Sequence, residues 1–181
     1  MPQFKAPTRD LKFVLHDVLK VSDLYQTLPD FQEATPDIID AVLDQGAKFC
    51  EDVLAPLNES GDKEGCTWTE QGVKTPAGFA DAYAQYVEGG WPSLAAEVRY
   101  GGQGMPNVLG LCMSELTGTA NWAWSMYPGL SHGAIKTLEE HGSDEQKDQY
   151  LTRLVSGEWT GTMCLTEPHC GTDLGLLRTK A

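Results

Sequence analysis

The richest chemistry in the sequence sits near one end, in Met163-Cys164-Leu165-Thr166-Glu167-Pro168-His169-Cys170-Gly171-Thr172-Asp173. Its Thr hydroxyls, and the N–H groups of a turn through Pro and Gly, can present donors and acceptors to a flat polar heterocycle or an anion. Cys164, His169 and Cys170 could suggest a metal. The C-x₄-H-C spacing is not a common structural zinc pattern, however, and no second pair exists. Nothing identifies a base that would activate Cys164 or Cys170 as a nucleophile. The glycines of Tyr100-Gly101-Gly102-Gln103-Gly104 lack the G-x-G-x-x-G spacing and follow a helical pattern, so a tight turn between helices is expected there. Glu115 stands alone in an uncharged stretch. Pairing with a base such as Arg99, or reaching solvent, is favoured over a catalytic role, because buried acids are usually paired. Helical spacing puts Trp124 and Tyr127 on one face, with Trp122 turned away. They read as core or as a substrate wall.

Helices must position most of these groups. Thr35-Pro36-Asp37 reads as an N-cap, a Pro at N1 and an acidic first turn. Ile38, Ile39, Val42, Leu43, Phe49, Val53 and Leu54 follow at helical spacing, and Pro56 is expected to end that helix. Residues 58–74 read as a loop. Thr75-Pro76 repeats the start signal, with Phe79, Tyr83 and Val87 on one stripe, and Gly89-Gly90 stops it. Residues 91–106 are irregular. A buried helix is expected from about Asn107 to Tyr127, broken at Pro128-Gly129, with a shorter helix from Ser131 to about Glu140. Ser143 and Gln146 form a capping box that opens a helix ending at Ser156-Gly157. Trp159 to Leu165 is then β-prone. Before all of this, residues 1–30 read as an extension strapped onto the body, with Phe13, Val14, Val18, Leu19 and Leu24 as its apolar face. Helices followed by a strand suggest a helical domain joined to a β domain. One or two strands cannot form a sheet alone, so the rest would come from further chain or from a partner.

The 181 residues are enough to bury a core, and the composition is that of a soluble globular protein. A net charge of −13 argues against nucleic acid and anionic membrane as partners. Five Cys without C-x-x-C spacing fit a reducing compartment, and MPQFKAPTRD shows no secretory signal, so a cytoplasmic location is expected. The acidity is uneven. Leu116 to Ile135 is 20 uncharged residues, long enough to span a bilayer but too polar and glycine-containing to do so. Core helix and pocket lining remain as readings.

CLTEPHCGTD resembles the first signature of the acyl-CoA dehydrogenase family, hydrophobic-Thr-Glu-Pro-x-x-Gly-Ser-Asp. Three further stretches follow the family in order. They are Arg99 to Gly104, the helix of Ser114-Glu115-Leu116, and His141-Gly142-Ser143-Asp144-Glu145-Gln146-Lys147 through Leu154 to Glu158. The resemblance covers about residues 30–181, and the extension is similar to that of the larger bacterial subfamily. Cys170 stands where a small residue is usual, Thr172 replaces the commoner Ser, and Leu176 occupies a position usually small.

The resemblance implies a mainly α chain: the N-terminal helical domain of the fold plus the first strand of the middle β domain. The expected divisions are an extension over 1–34, the helical domain over 35–157 and a truncated start of the β domain over 158–181. FAD is the implied cofactor. The backbone at Met163 and Leu165, the Thr166 hydroxyl, Gly171 and Thr172 are expected to meet it, and Thr172 also the CoA arm of the substrate. Ser125, Met126, Pro128 and Gly129 are expected to face the acyl chain. Glu167 is expected to be structural. The catalytic base is expected in the C-terminal domain, so this stretch alone would be inactive and binds no metal. The implied reaction is α,β-dehydrogenation of an acyl-CoA thioester in β-oxidation. Electron-transfer flavoprotein is the implied acceptor, and the full-length protein the implied homodimer or homotetramer. An acyl-CoA oxidase or flavin monooxygenase of the same fold, or a non-catalytic helical binding module, are the alternatives.

Overall fold

The computed structural model describes residues 4–180. The chain begins with α1 (Thr8–Lys12), continues through a π-helical turn (Phe13–Val18) and turns into α2 (Val21–Gln26). Leu15, Val21 and Tyr25 are the residues that bury themselves. Phe13, Val14, Val18, Leu19 and Leu24, expected as the inward face, are instead exposed. The wider π turn changes the angular step per residue, so a 3.6-residue count puts the stripe on the wrong side. The strap is held by ion pairs as well as packing. Lys5 meets Glu51 at 2.7 Å, while His16 and Lys12 both reach Asp40.

Pro36 opens α3 (Pro36–Phe49) behind Thr35, whose side chain makes no capping bond. The helix does not end at Pro56. It passes through a π segment (Cys50–Leu54) into α4 (Ala55–Glu64), with Pro56 in the first turn of α4. The i→i+5 register resets the ladder just before the residue that has no N–H to give. The expected loop over 58–74 is therefore mostly the end of α4 and a two-stranded antiparallel hairpin. Its strands are β1 (Thr67–Thr69) and β2 (Gly72–Lys74), with Trp68 opposite Val73. α5 (Phe79–Glu88) starts three residues after Pro76, behind Gly78 in the left-handed region at φ 83°.

Residues 91–106 form short 3₁₀ turns and a glycine loop, as the composition suggests. Gly102 donates to the Glu97 carbonyl at 2.9 Å and Gly104 to that of Ala96 at 3.0 Å. This folds the loop into a tight turn. A Cβ at Gly102 would collide with the Ala96 carbonyl, so only glycine fits. Arg99 pairs with Asp148 rather than with Glu115, and Glu115 reaches solvent.

Two helices, α6 (Asn107–Ala120) and α7 (Trp122–His141), form the centre, and α8 (Asp144–Val155) packs on α7. The Ser143–Gln146 capping box opens α8 as its sequence requires. The main core joins α3, the π segment and α6 through Ile39, Leu43, Leu54, Leu109 and Leu116, all at 1% exposure or less. No helix among the described residues is long and apolar enough to cross a membrane.

Candidate functional site

The site is built on α7. The sequence places a helix break at Pro128-Gly129, but the break falls at Asn121, whose backbone is extended at φ −158°. Asn121 is 1% exposed. Its Oδ1 accepts from the Trp124 N–H at 3.1 Å, and its Nδ2 donates to the Leu54 carbonyl at 3.2 Å. Pro128 lies buried inside α7. The helix forgoes the one bond Pro128 cannot donate and continues because its face is packed. Trp124 sits edge-on against Phe49 and Tyr86, and Ile135 is buried. Trp124 is thus core, Trp122 is 69% exposed, and Tyr127 lies half out, edge-on to Tyr83 at 5.0 Å.

A cavity of about 250 Å³ opens between α5, α6 and α7. Ser125, Met126, Pro128 and Gly129 all line it, together with Tyr83, Tyr86, Trp91, Met113, Thr117 and His132. No Asp, Glu, Lys or Arg contributes to its wall. Burial, then the neighbouring Lys136 charge, push the His132 imidazole below its ordinary value. Burial also raises the Tyr86 hydroxyl far above its ordinary value. The hydroxyl protons of Thr117 and Ser125 go to carbonyls of their own helices, at Ser114 and Trp122. The charged residue types are absent from this wall among the described residues, and the Thr117 and Ser125 hydroxyls are already satisfied. That suits an apolar chain. The near charge-free stretch of sequence is therefore cavity wall on one face and core on the other.

Beyond α8 the chain runs back over α7. Tyr83 Oη donates to the Gly157 carbonyl at 3.1 Å, Trp159 stacks under the Arg153 guanidinium, and the Gly161 N–H donates to Ser131 Oγ at 3.1 Å. The β-prone residues 159–165 form no strand, since nothing among the described residues pairs with them. A strand needs a ladder partner, and propensity alone does not make one.

Glu167 and Cys170 then close a tight turn with two backbone bonds, Pro168-His169 at its tip. The Glu167 carboxylate accepts from the Thr179 hydroxyl and from the N–H groups of Thr179 and Arg178. The Thr179 hydroxyl bond, with these N–H bonds behind it, lowers the Glu167 pKa from its ordinary value. The carboxylate is thereby committed to its own chain. Ligand atoms of Glu167, His169 and Cys170 lie within 4.8 Å of one another, without Cys164. Nε2 of His169 faces the Leu176 carbonyl at 3.0 Å, so it carries a proton there rather than a lone pair for a metal.

Met163, Thr166, Gly171 and Thr172 are exposed and Leu165 is half-buried. A Cβ on Gly171 would lie 3.7 Å from Thr166 Cγ2, so those two residues face each other across the turn. Among the described residues, the backbone N–H groups of Met163 and Leu165 and the Thr166 hydroxyl have no protein partner. These free main-chain groups thus lie beside a hydroxyl and a glycine. Asn121, Ser131 and Gly161 are the site-building residues that sequence reasoning missed. An Asn just ahead of a helix is a capping signal; the other two carry no local signature.

Residues 39–158 match the model of the acyl-CoA dehydrogenase N-terminal domain. The chain is 37% identical over 178 residues to 3-methylmercaptopropionyl-CoA dehydrogenase of Ruegeria pomeroyi, covering 98% of this chain and 30% of that protein. It is 34% identical to a butyryl-CoA dehydrogenase of Syntrophomonas wolfei, over 95% of this chain and 28% of that one. Among solved structures, butyryl-CoA dehydrogenase from Megasphaera elsdenii aligns at a TM-score of 0.64 and 22% identity, over 79% of this chain and 36% of that one. A chain in a structure of the electron transferring flavoprotein of Acidaminococcus fermentans aligns at 0.61 and 22% identity, over 76% and 34%. The chain thus spans about 30% of the length of the curated relatives it matches. It belongs to the acyl-CoA dehydrogenase family, with its N-terminal domain at residues 39–158.

Proposed function

We propose that this chain is the N-terminal portion of an FAD-dependent enzyme that dehydrogenates an acyl-CoA thioester between its α and β carbons, giving the 2-enoyl-CoA. One observation carries the reading. The uncharged cavity holds Ser125, Met126, Pro128 and Gly129 in its wall, and Ser131, two residues further along α7, bonds the segment that leads to Met163. When bound, FAD supplies the ring that accepts the β-hydride. The residues of this chain do the holding. Main-chain groups at Met163 and Leu165, with the Thr166 hydroxyl, offer hydrogen bonds to the ring edge, and Gly171 and Thr172 let the cofactor approach the turn. Thr172 also offers its hydroxyl to the CoA arm. The cavity takes the acyl chain and excludes water from it.

The general base that removes the α-proton belongs to the C-terminal part of the full-length enzyme, so this stretch by itself is inactive. Electron-transfer flavoprotein is the proposed electron acceptor, and the full-length enzyme a cytoplasmic homodimer or homotetramer of acyl-CoA β-oxidation. The test is to purify the full-length gene product and measure flavin absorbance per protomer. About one FAD per protomer supports the proposal, and a colourless protein that takes up no added FAD refutes it.

A further inference from the structure

We infer that Ser131 and Gly161 are positioning residues that set the seat of the flavin-binding segment on α7. The inference rests on the flavin reading above. Ser131 is buried at 7% exposure, and its Oγ accepts the Gly161 N–H at 3.1 Å. Gly161 lies against the helix. A Cβ there would sit 2.5 Å from Ala134 Cβ and 3.3 Å from both the Leu130 carbonyl oxygen and Ser131 Cα. The chain therefore approaches α7 as closely as its backbone allows, because residue 161 has no side chain. Met163 follows only two residues later, within about 7 Å along the chain. Any lift at residue 161 is carried directly into the backbone groups at Met163 and Leu165. Pro128 and Gly129, in the acyl wall, lie less than one helical turn before Ser131. A single stretch of α7 thus fixes both the wall and the segment opposite the ring, which sets their spacing.

The test uses the full-length protein and reads FAD affinity by flavin-fluorescence quenching, the absorption spectrum of the bound flavin, and thermal stability separately. Gly161→Ala is expected to weaken FAD binding about tenfold or more and to alter the bound-flavin spectrum. Ala134→Gly alone is expected to bind FAD like the wild type. The double variant, with the obstructing methyl gone, is expected to recover most of the lost affinity. Ser131→Ala, which keeps the close approach but loses the bond, is expected to weaken binding several-fold, and it decides the matter if Gly161→Ala does not fold. Wild-type affinity and spectrum in both Gly161→Ala and Ser131→Ala would overturn the inference. So would a loss in Gly161→Ala that Ala134→Gly does not restore. A wild-type protein that takes up no FAD refutes the flavin reading itself, a result distinct from wild-type binding with indifferent variants.

Discussion

The side-chain amide of Asn121 donates to the main-chain carbonyl of Leu54 at 3.2 Å, while its oxygen receives the amide N–H of Trp124 at 3.1 Å. Leu54 is the last residue of the π segment between α3 and α4, and Trp124 is in the first turn of α7. One buried side chain thus ties the helix that lines the cavity to the π segment beneath it. Both of its functional groups are used, and loss of the oxygen leaves the buried Trp124 N–H unpaired.

Replacing Asn121 tests that linkage. Asn121→Ala removes the cap, leaves the buried Trp124 N–H unpaired and deletes the bond to the Leu54 carbonyl, and is expected to cost about 2–3 kcal/mol of stability. Asn121→Asp keeps the cap acceptor but sets a carboxylate against the Leu54 carbonyl, so it is expected to restore none of this. Urea denaturation of the two variants against wild type gives the values. A cost below about 0.5 kcal/mol for Asn121→Ala would contradict the linkage.

Gly102 is fixed by backbone, not by a flexible neighbour. Because the Ala96 carbonyl occupies the space of a Cβ, Gly102→Ala is expected to destabilise by about 2 kcal/mol or more. By contrast Gly133→Ala, inside α7 with open space around the new methyl, is expected to be neutral or slightly stabilising. Thermal melts of the pair separate a steric requirement from a general intolerance of glycine replacement.

Docking of the N-terminal strap is expected to depend on pH. A hydrogen bond from Lys5, helped by the Ala6 N–H, lowers the Glu51 pKa below its ordinary value. Burial works against the charge on Asp40, but His16 and Lys12 outweigh it and lower its pKa as well. Groups depressed in the folded state contribute above their unfolded values, near pH 4, and lose that contribution as pH falls through the folded ones. Hydrogen exchange over residues 4–26, after correction for intrinsic rates, is therefore expected to be slow at pH 5. It should accelerate below about pH 4 while the α6 core stays protected. Loss of strap protection on raising the pH instead would reverse the assignment.

Gly129 gives a handle on chain length. It lines the cavity and has open space where a side chain would go. In the full-length enzyme, Gly129→Leu is expected to leave the fold intact and raise KM for long acyl-CoA substrates at least tenfold relative to butyryl-CoA. An unchanged chain-length profile would remove Gly129 from the acyl wall.

Most of the helical order was legible because it rests on local chemistry. The Ser143–Gln146 capping box, the stop at Gly89-Gly90 and the Pro36 start depend only on neighbours in sequence. What failed had causes outside that range. Pro56 and Pro128 read as breakers, but a π segment absorbs the first and tertiary packing holds the second. The strap's stripe was assigned to the wrong face because a π turn changes the period. Trp159 to Leu165 has strand propensity but no ladder partner among the described residues. Ser125, Met126, Pro128 and Gly129 line one cavity, and they lie in the uncharged run. Ser131 and Gly161 were invisible, because their importance lies in a contact 30 residues apart along the chain.

The most direct test is an anaerobic titration of the FAD-loaded full-length protein with butyryl-CoA. Bleaching of the flavin absorbance with one enoyl-CoA formed per flavin is the expected result. A bound flavin that stays oxidised under a series of acyl-CoA chain lengths would contradict the assignment of this chain to an acyl-CoA-oxidising enzyme.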